Sequence, residues 1–380
     1  MMASKATGYW RMRELEFHFQ GGDSRVLIPN QKGRSIGPAV SNLSGIDRCL
    51  ILTDSGVPHR FVDEVMDSLR NASLRPRKYV VPAGDDHKTL ITATRAYNWF
   101  TSVRANRRTA LLTLGGGMVG DLGGFVAATW MRGLTWINVP TTVLAMIDSC
   151  LGGKVGLNRP GGKNLIGLFY HPTLIWADPA YLQTLSDAAF AAGLAESVKH
   201  AVALDAEFLA WHEQNASDLM SRRPGVLLEL IERNLRLKGG VVLADEREAI
   251  QSDGPGRAVL NFGHTIGHAL EAASGFRWPH GVCVALGMIV EMELAVRLGT
   301  FDESLRRRIE SLMTRLTLPR NAPEPFSMRD VLTLMKFDKK NRRARPRFVL
   351  PQADGRMGWY EAQQRDLVVE ALKRIEPAEG

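Results

Sequence analysis

The chain has 380 residues, more than one hydrophobic core usually holds, so two domains are expected. Hydrophobic residues make up 45% and charged residues 23%, with no long low-complexity tract, which excludes a disordered or fibrous protein. A net charge of +8 and a basic run at 336–347 raise a nucleic-acid partner, but the run sits in no recognisable nucleic-acid module; a solvated turn and an anion contact are expected instead.

Cys49, Cys150 and Cys283 lie far apart with no C-x-x-C pair. They make neither a disulfide framework nor a thiolate metal site, which fits a reducing, cytoplasmic setting. The first nineteen residues lack a continuous apolar stretch, and no run reaches the length of a membrane-spanning helix, so no membrane association is expected.

Short β-like runs open the chain at 15–19, 26–28 and 49–53. The third ends in Asp54, where a carboxylate can meet a ribose hydroxyl or, alternatively, cap the helix expected over 58–70. A strand at 78–81, a loop carrying Asp85 and Lys88, and a helix reaching about residue 105 follow. The apolar run 110–114 is too brief for a helix and reads as a strand buried on both faces. Gly115, Gly117 and Gly120 then form G-x-G-x-x-G between that strand and a helix, where backbone N–H groups and the helix dipole can receive a pyrophosphate. The next strand, 135–139, ends in Pro140-Thr141-Thr142 without the ribose-binding acid of a Rossmann fold, so a glycine turn kept only for packing stays an open alternative.

Beyond it, Asp148, Lys154, Lys163 and Asn164 are interleaved with Gly152, Gly153, Gly156, Gly161 and Gly162. Cations and an amide on a close-approach backbone make an anion cradle. Near residue 180 the apolar period changes from strand to helix, as in Leu227, Leu230, Ile231 and Leu235 and again in Val284, Leu286, Ile289 and Val290. The chain therefore divides into 1–180, an α/β dinucleotide-binding domain on a mostly parallel sheet, and 181–380, an α-helical metal- and substrate-binding domain. In the second half His264 and His268 stand four apart on one helix face, with His280 following. Histidine nitrogens plus a carboxylate suit a catalytic zinc or a similar divalent ion, though spacing alone does not pick the carboxylate.

The segments GGGMVGDLGGFVAATWMRG, VPTTVLAMIDSCLGGKVGLN and GKNLIGLFYHP, with AESVK at 195–199 and NFGHTIGHALE at 261–271, resemble the 3-dehydroquinate synthases of the sugar phosphate cyclase family, over about residues 54–340. The resemblance implies NAD and Zn2+ or Co2+ as cofactors, with Glu196, His264 and His280 as metal ligands. It implies nucleotide contacts at Asp54, Asp85, Lys88, Gly117, Met118, Val119, Gly120, Asp121, Thr141, Thr142, Lys154, Lys163 and Thr184. A small acidic, phosphorylated sugar would be held by Arg132, Asp148, Lys154, Asn164, Lys199, Lys238, Arg257, Asn261, His268 and Lys339, with Glu248, His268, Lys154 and Asn164 in the chemistry. Arg132 would reach the substrate of a neighbouring subunit, implying a homodimer.

The implied reaction turns 3-deoxy-D-arabino-heptulosonate 7-phosphate into 3-dehydroquinate and phosphate through transient oxidation, elimination, re-reduction and an intramolecular aldol. Aminodehydroquinate or cyclitol synthesis, and the related metal-dependent polyol dehydrogenases, are the alternatives. The chain departs from the family pattern at three places. Gly56 replaces an amide near Asp54; Val282 replaces a glutamate two residues after His280, which implies a metal site weaker by roughly ten- to a hundred-fold; and the 249–256 link between Glu248 and Arg257 is longer than usual.

Overall fold

The computed structural model describes residues 12–30, 35–160, 162–249, 254–335, 346–362 and 364–377, so Lys339 and most of the basic run fall outside the described residues. Two compact units divide the chain: residues 1–185 with 224–239, and residues 186–223 with 240–380.

The first unit runs β1 (Arg13–Phe19), β2 (Gly22–Ile28), α1 (Gly37–Ser41), β3 (Arg48–Asp54), α2 (His59–Asn71), β4 (Arg77–Val81), α3 (Leu90–Ser102), β5 (Thr109–Gly115), α4 (Gly117–Thr129), β6 (Thr135–Pro140), β7 (Lys154–Arg159), β8 (Gly162–Phe169) and β9 (Leu174–Trp176). Seven strands form one sheet in the order β1-β2-β9-β6-β5-β3-β4, parallel except for the β1–β2 hairpin. The local reasons match the sequence pattern. β5 is buried at every position, as an apolar central strand must be. On β1, Leu15, Phe17 and Phe19 alternate inward, and α2 buries the stripe Phe61, Val62, Val65, Met66 and Leu69.

Helix α4 lies close on the sheet because glycine faces it. A Cβ at Gly123 would come within 2.1 Å of Thr113 Cγ2, and one at Gly124 within 2.7 Å of Trp136. The chain leaves β3 toward β4 on one side and β5 toward β6 on the other, so the carboxyl ends of β3 and β5 flank a topological switch point, where α/β sheets bind ligands.

The second unit holds α5 (Asp187–Leu204), α6 (Ala206–Met220), α8 (His264–Ala273), α9 (His280–Arg297), α10 (Glu303–Arg315), α11 (Met328–Met335) and α12 (Arg365–Leu372); α7 (Pro224–Ala244) contributes its last residues here and the rest to the first unit. Side-chain caps fix several starts: Ser186 accepts from Ala189 N, Asp205 from Glu207 N and Phe208 N, and Asp302 from Leu305 N. The unit also carries one antiparallel hairpin, β10 (Arg347–Pro351) with β11 (Met357–Glu361), which the helical periodicity did not announce.

Two adjacent glycines on α7 test this packing. A Cβ at Gly239 would lie 2.0 Å from the Phe17 ring, whereas one at Gly240 meets nothing within 4 Å. Gly239→Ala is expected to destabilise the protein by about 1–3 kcal/mol through overpacking. Gly240→Ala is expected to leave it unchanged or raise it by up to about 1 kcal/mol. Urea midpoints at constant slope check both signs.

Candidate functional site

In the first unit the glycine turn sits at the switch point. Gly115 O accepts from Thr141 N at 2.9 Å, tying the ends of β5 and β6 together. A Cβ at Gly115 would lie 2.7 Å from Val119 and 3.2 Å from Asp54 Oδ2, so the carboxylate and the turn share one corner. Helix α4 begins at Gly117 with no side-chain cap, Gly117, Met118, Val119 and Gly120 make up its first turn, and Asp121 follows. Such an uncapped N-terminus can take a phosphate. Asp54 does not cap α2, whose start at His59 has no side-chain cap; its Oδ1 instead accepts from Gly56 N at 2.6 Å. Burial raises the Asp54 pKa against the amides of Gly56 and Val57.

Next to this corner, Lys88 is 4% exposed and its Nζ lies 2.9 Å from Asp121 Oδ2, 3.5 Å from Asp85 Oδ1 and 2.7 Å from Asn164 Oδ1. Lys163 Nζ reaches Asp85 Oδ2 at 2.9 Å. Burial alone would raise the Asp85 carboxyl, but Lys88 and Lys163 hold it below its usual range; for Asp121 burial wins over Lys88 and the pKa rises. Five residues expected at the site are thus one network.

Lys238 Nζ lies 2.8 Å from Asp148 Oδ1 and donates to Asp148 O. Lys154 opens β7, exposed, after Gly152 and Gly153 at φ 103 and 68, where the left-handed backbone favours glycine. Gly153 also lies against His171, whose Cε1 would be 2.8 Å from an added Cβ, and His171 stacks on Phe19 at 4.2 Å. Thr141 is buried, Thr142 Oγ1 accepts from Ala145 N at 3.2 Å, and Thr184 Oγ1 donates to Tyr181 O at 3.1 Å. Arg132 is exposed in the turn Trp130–Arg132.

The second unit brings the three proposed metal ligands together although they lie far apart in sequence. Glu196 Oε1 is 3.3 Å from His264 Nε2 and 3.2 Å from His280 Nε2, and the three donor atoms lie within 4.8 Å of one another. Their outer nitrogens are engaged: His264 Nδ1 with Phe262 O at 3.1 Å and His280 Nδ1 with Glu271 Oε2 at 3.4 Å. Both Nε2 atoms consequently face the carboxylate. Glu196 is fully buried, and its Oε2 pairs with Lys199 Nζ at 2.6 Å by charge, outside hydrogen-bond geometry. Two imidazoles and one carboxylate aimed at a common point, with no thiolate, fit a divalent ion that keeps a coordination position open.

Burial opposes ionisation of Glu196, but Lys199 and then His264 hold it well below its usual range. Burial lowers His264. His280 is also depressed by burial, yet Glu196 and Glu271 outweigh this and raise it to about 9.

His268 is exposed, with its ring edge-on to His264 at 5.2 Å; it lies outside the Glu196–His264–His280 group but forms a second, overlapping donor group with Glu271 and His280. Glu248 Oε1 accepts from Asn261 Nδ2 at 3.1 Å, and Asn261 ends the turn Gly256–Asn261 that leads toward His264. Arg257, in the same turn, is 3% exposed. Glu248 and Asn261, on either side of the 249–256 link, are thus neighbours.

Pattern reading missed two residues here. Glu271 supplies the carboxylate behind His280, while Val282, two residues along α9, is half-buried; Glu271 lies in the quoted NFGHTIGHALE segment but had no signal beyond it. Glu291, 0% exposed on α9, accepts from Gly263 N at 2.6 Å and Ile266 N at 3.3 Å, placing a carboxylate at the N-terminus of α8.

A mostly parallel sheet with a glycine-rich turn at its switch point, followed in sequence by a helical unit with a Glu-His-His cluster, is the fold of solved sugar phosphate cyclases. The solved structure of 2-deoxy-scyllo-inosose synthase with carbaglucose-6-phosphate, NAD+ and Co2+ matches at TM-score 0.83 and 24% identity, over 95% of this chain and 99% of that one. 2-epi-5-epi-valiolone synthase from Streptomyces hygroscopicus, with NAD+ and Zn2+, matches at TM-score 0.81 and 23% identity, over 98% of both. Residues 78–192 match the 3-dehydroquinate synthase N-terminal family and residues 193–341 the C-terminal one. A 3-dehydroquinate synthase of Symbiobacterium thermophilum is 41% identical over 86% of this chain and 91% of its own length. The chain belongs to the 3-dehydroquinate synthase family.

The geometry behind His280 sets a test. Glu271→Gln is expected to weaken zinc binding to the metal-free protein by roughly ten- to a hundred-fold, and Val282→Glu to change it by less than about threefold. Competition titration with a chromophoric chelator reads both.

Proposed function

We propose that the chain performs its family's reaction, converting 3-deoxy-D-arabino-heptulosonate 7-phosphate into 3-dehydroquinate and inorganic phosphate as a phosphate-eliminating lyase that depends on NAD and a divalent ion. One observation carries this reading: a buried Glu196 shared between His264, His280 and the ammonium of Lys199, in a chain of this family. When bound, NAD takes up and returns a hydride, and zinc or cobalt on Glu196, His264 and His280 polarises the hydroxyl being oxidised.

The chain's own groups do the rest. The first turn of α4, Asp54, Thr141, Thr142 and Thr184 bind the nucleotide, with Lys88, Lys163, Asp85 and Asp121 shaping the pocket's charge. Lys199 keeps Glu196 ionised and ready to ligate. Lys154, Lys238, Arg257 and Lys339, with Arg132, Asp148, Asn164 and Asn261, hold phosphate, carboxylate and hydroxyl groups, since so many cations around one small ligand select an acidic, phosphorylated one. His268, exposed next to the donor set, and the Glu248 carboxylate move protons. The substrate's leaving phosphate can itself accept the proton lost in elimination, leaving the protein chiefly to orient.

A homodimer in which Arg132 serves the neighbouring subunit fits that arginine's exposed turn. Three free, buried cysteines support a reducing, cytoplasmic setting. Among the described residues no helix is long and apolar enough to cross a membrane.

Purified protein with NAD and zinc is expected to release phosphate and dehydroquinate from the heptulosonate phosphate with no net NADH, and a chelator to stop release until zinc or cobalt is restored. Turnover of sedoheptulose 7-phosphate alone would reassign the chain to a cyclitol synthase, and NADH accumulating from a simple polyol would make it a dehydrogenase. His268→Gln is expected to lower kcat by about 10²- to 10⁴-fold while zinc and NAD still bind, measured by calorimetry on the same preparation.

A further inference from the structure

We infer that Asp245 is a positioning residue whose carboxylate clamps both ends of the 249–257 segment and thereby holds Glu248 beside Asn261; the catalytic part of this rests on the reading of Glu248 as a proton-transfer group. Asp245 ends α7 at φ −150 and ψ 72 and is 5% exposed. Its Oδ1 accepts from Ala249 N at 2.8 Å and its Oδ2 from Arg257 N at 3.0 Å. One side chain thus ties the residue that follows Glu248 to the residue where the chain returns. The return is locked again from the other side, because the buried Arg257 guanidinium donates to Glu246 O.

Between these ties Glu248 adopts φ 58, a left-handed conformation that a non-glycine residue keeps only where its surroundings over-determine it. Here they do: Glu248 N points at Asp245 O at 3.4 Å, and the next amide is held by Oδ1. The result at the far end of the side chain is the 3.1 Å contact from Asn261 Nδ2 to Glu248 Oε1. Both ties are made by the backbone amides of Ala249 and Arg257 themselves, one directly after Glu248 and the other at the start of the turn that carries Asn261.

A carboxylate is needed because both of its atoms accept from backbone amides. An asparagine keeps one acceptor and turns its NH2 group against the other N–H. Asp245→Asn therefore opens one end of the clamp at nearly constant volume, and misplacement of a proton-transfer group by about 1 Å costs on the order of a hundredfold in rate.

The test combines hydrogen exchange with a double-mutant cycle on the NAD- and zinc-loaded enzyme. Asp245→Asn is expected to speed exchange of the Ala249 and Arg257 amides, to lower kcat by about ten- to a hundred-fold with KM within about threefold, and to have less than about a twofold effect in a Glu248→Gln background. Unchanged exchange at both amides overturns the clamp. Equal losses of kcat in the two backgrounds overturn the route through Glu248. Should Glu248→Gln leave kcat intact while exchange at the two amides still accelerates in Asp245→Asn, the proton role of Glu248 fails and the clamp stands. Asp245→Ser, which retains one acceptor, takes the place of the amide variant if that does not fold.

Discussion

The convergence of Glu196, His264 and His280 depends on how closely three helix backbones approach one another. A Cβ at Gly281 on α9 would lie 1.9 Å from Ala192 O on α5, and one at Gly287 would lie 1.9 Å from Gly263 O at the start of α8. Only bare glycine permits these contacts. Gly281 follows His280 directly, and Gly263 precedes His264, so the glycines stand next to the very residues whose Nε2 atoms meet Glu196. Three side chains of ordinary length converge because their backbones are packed without Cβ atoms between them.

That approach would leave buried polar groups exposed to a low-dielectric interior unless each found a partner. α8 and α9 resolve it reciprocally. Glu291 from α9 takes the first amides of α8, and Glu271 from α8 faces the outer nitrogen of His280 at the head of α9. Glu196 is balanced in turn by Lys199 one turn along its own helix. Removing one member of such a buried ionic set leaves an uncompensated charge, at a cost of about 3–5 kcal/mol, so the set holds together as a unit. The first unit follows the same logic around Lys88, where two carboxylates and an amide converge on one buried ammonium.

The two units differ in how they seat function. In the α/β unit the expected site residues stand where the strand order turns back, at strand ends and the loops that follow: Asp54 at the end of β3, the glycines from the end of β5 onward, and Thr141 and Thr142 after β6. In the helical unit the candidate residues lie on the helices themselves and on an irregular stretch whose Ala249 and Arg257 amides both meet Asp245. Loop sites tolerate substitution around a rigid sheet. Helix-borne ligands instead inherit their precision from packing, which ties metal geometry to the fold of that unit.

Much of this was legible from residue order. Alternation and buried apolar runs placed β1 to β6 but not the β7–β8 or β10–β11 hairpins, the glycine spacing placed the turn between β5 and α4, and the four-residue step from His264 to His268 placed both on one helix. Those are local properties, set by periods of two and of 3.6 residues. Residue order could not say that Glu271 and not position 282 backs His280, or that Asp245 holds the amides of both Ala249 and Arg257. Nor does any local period show that 224–239 of α7 belongs with the first unit. Each of these is a distance between residues far apart along the chain, and such distances exist only once the backbones have packed.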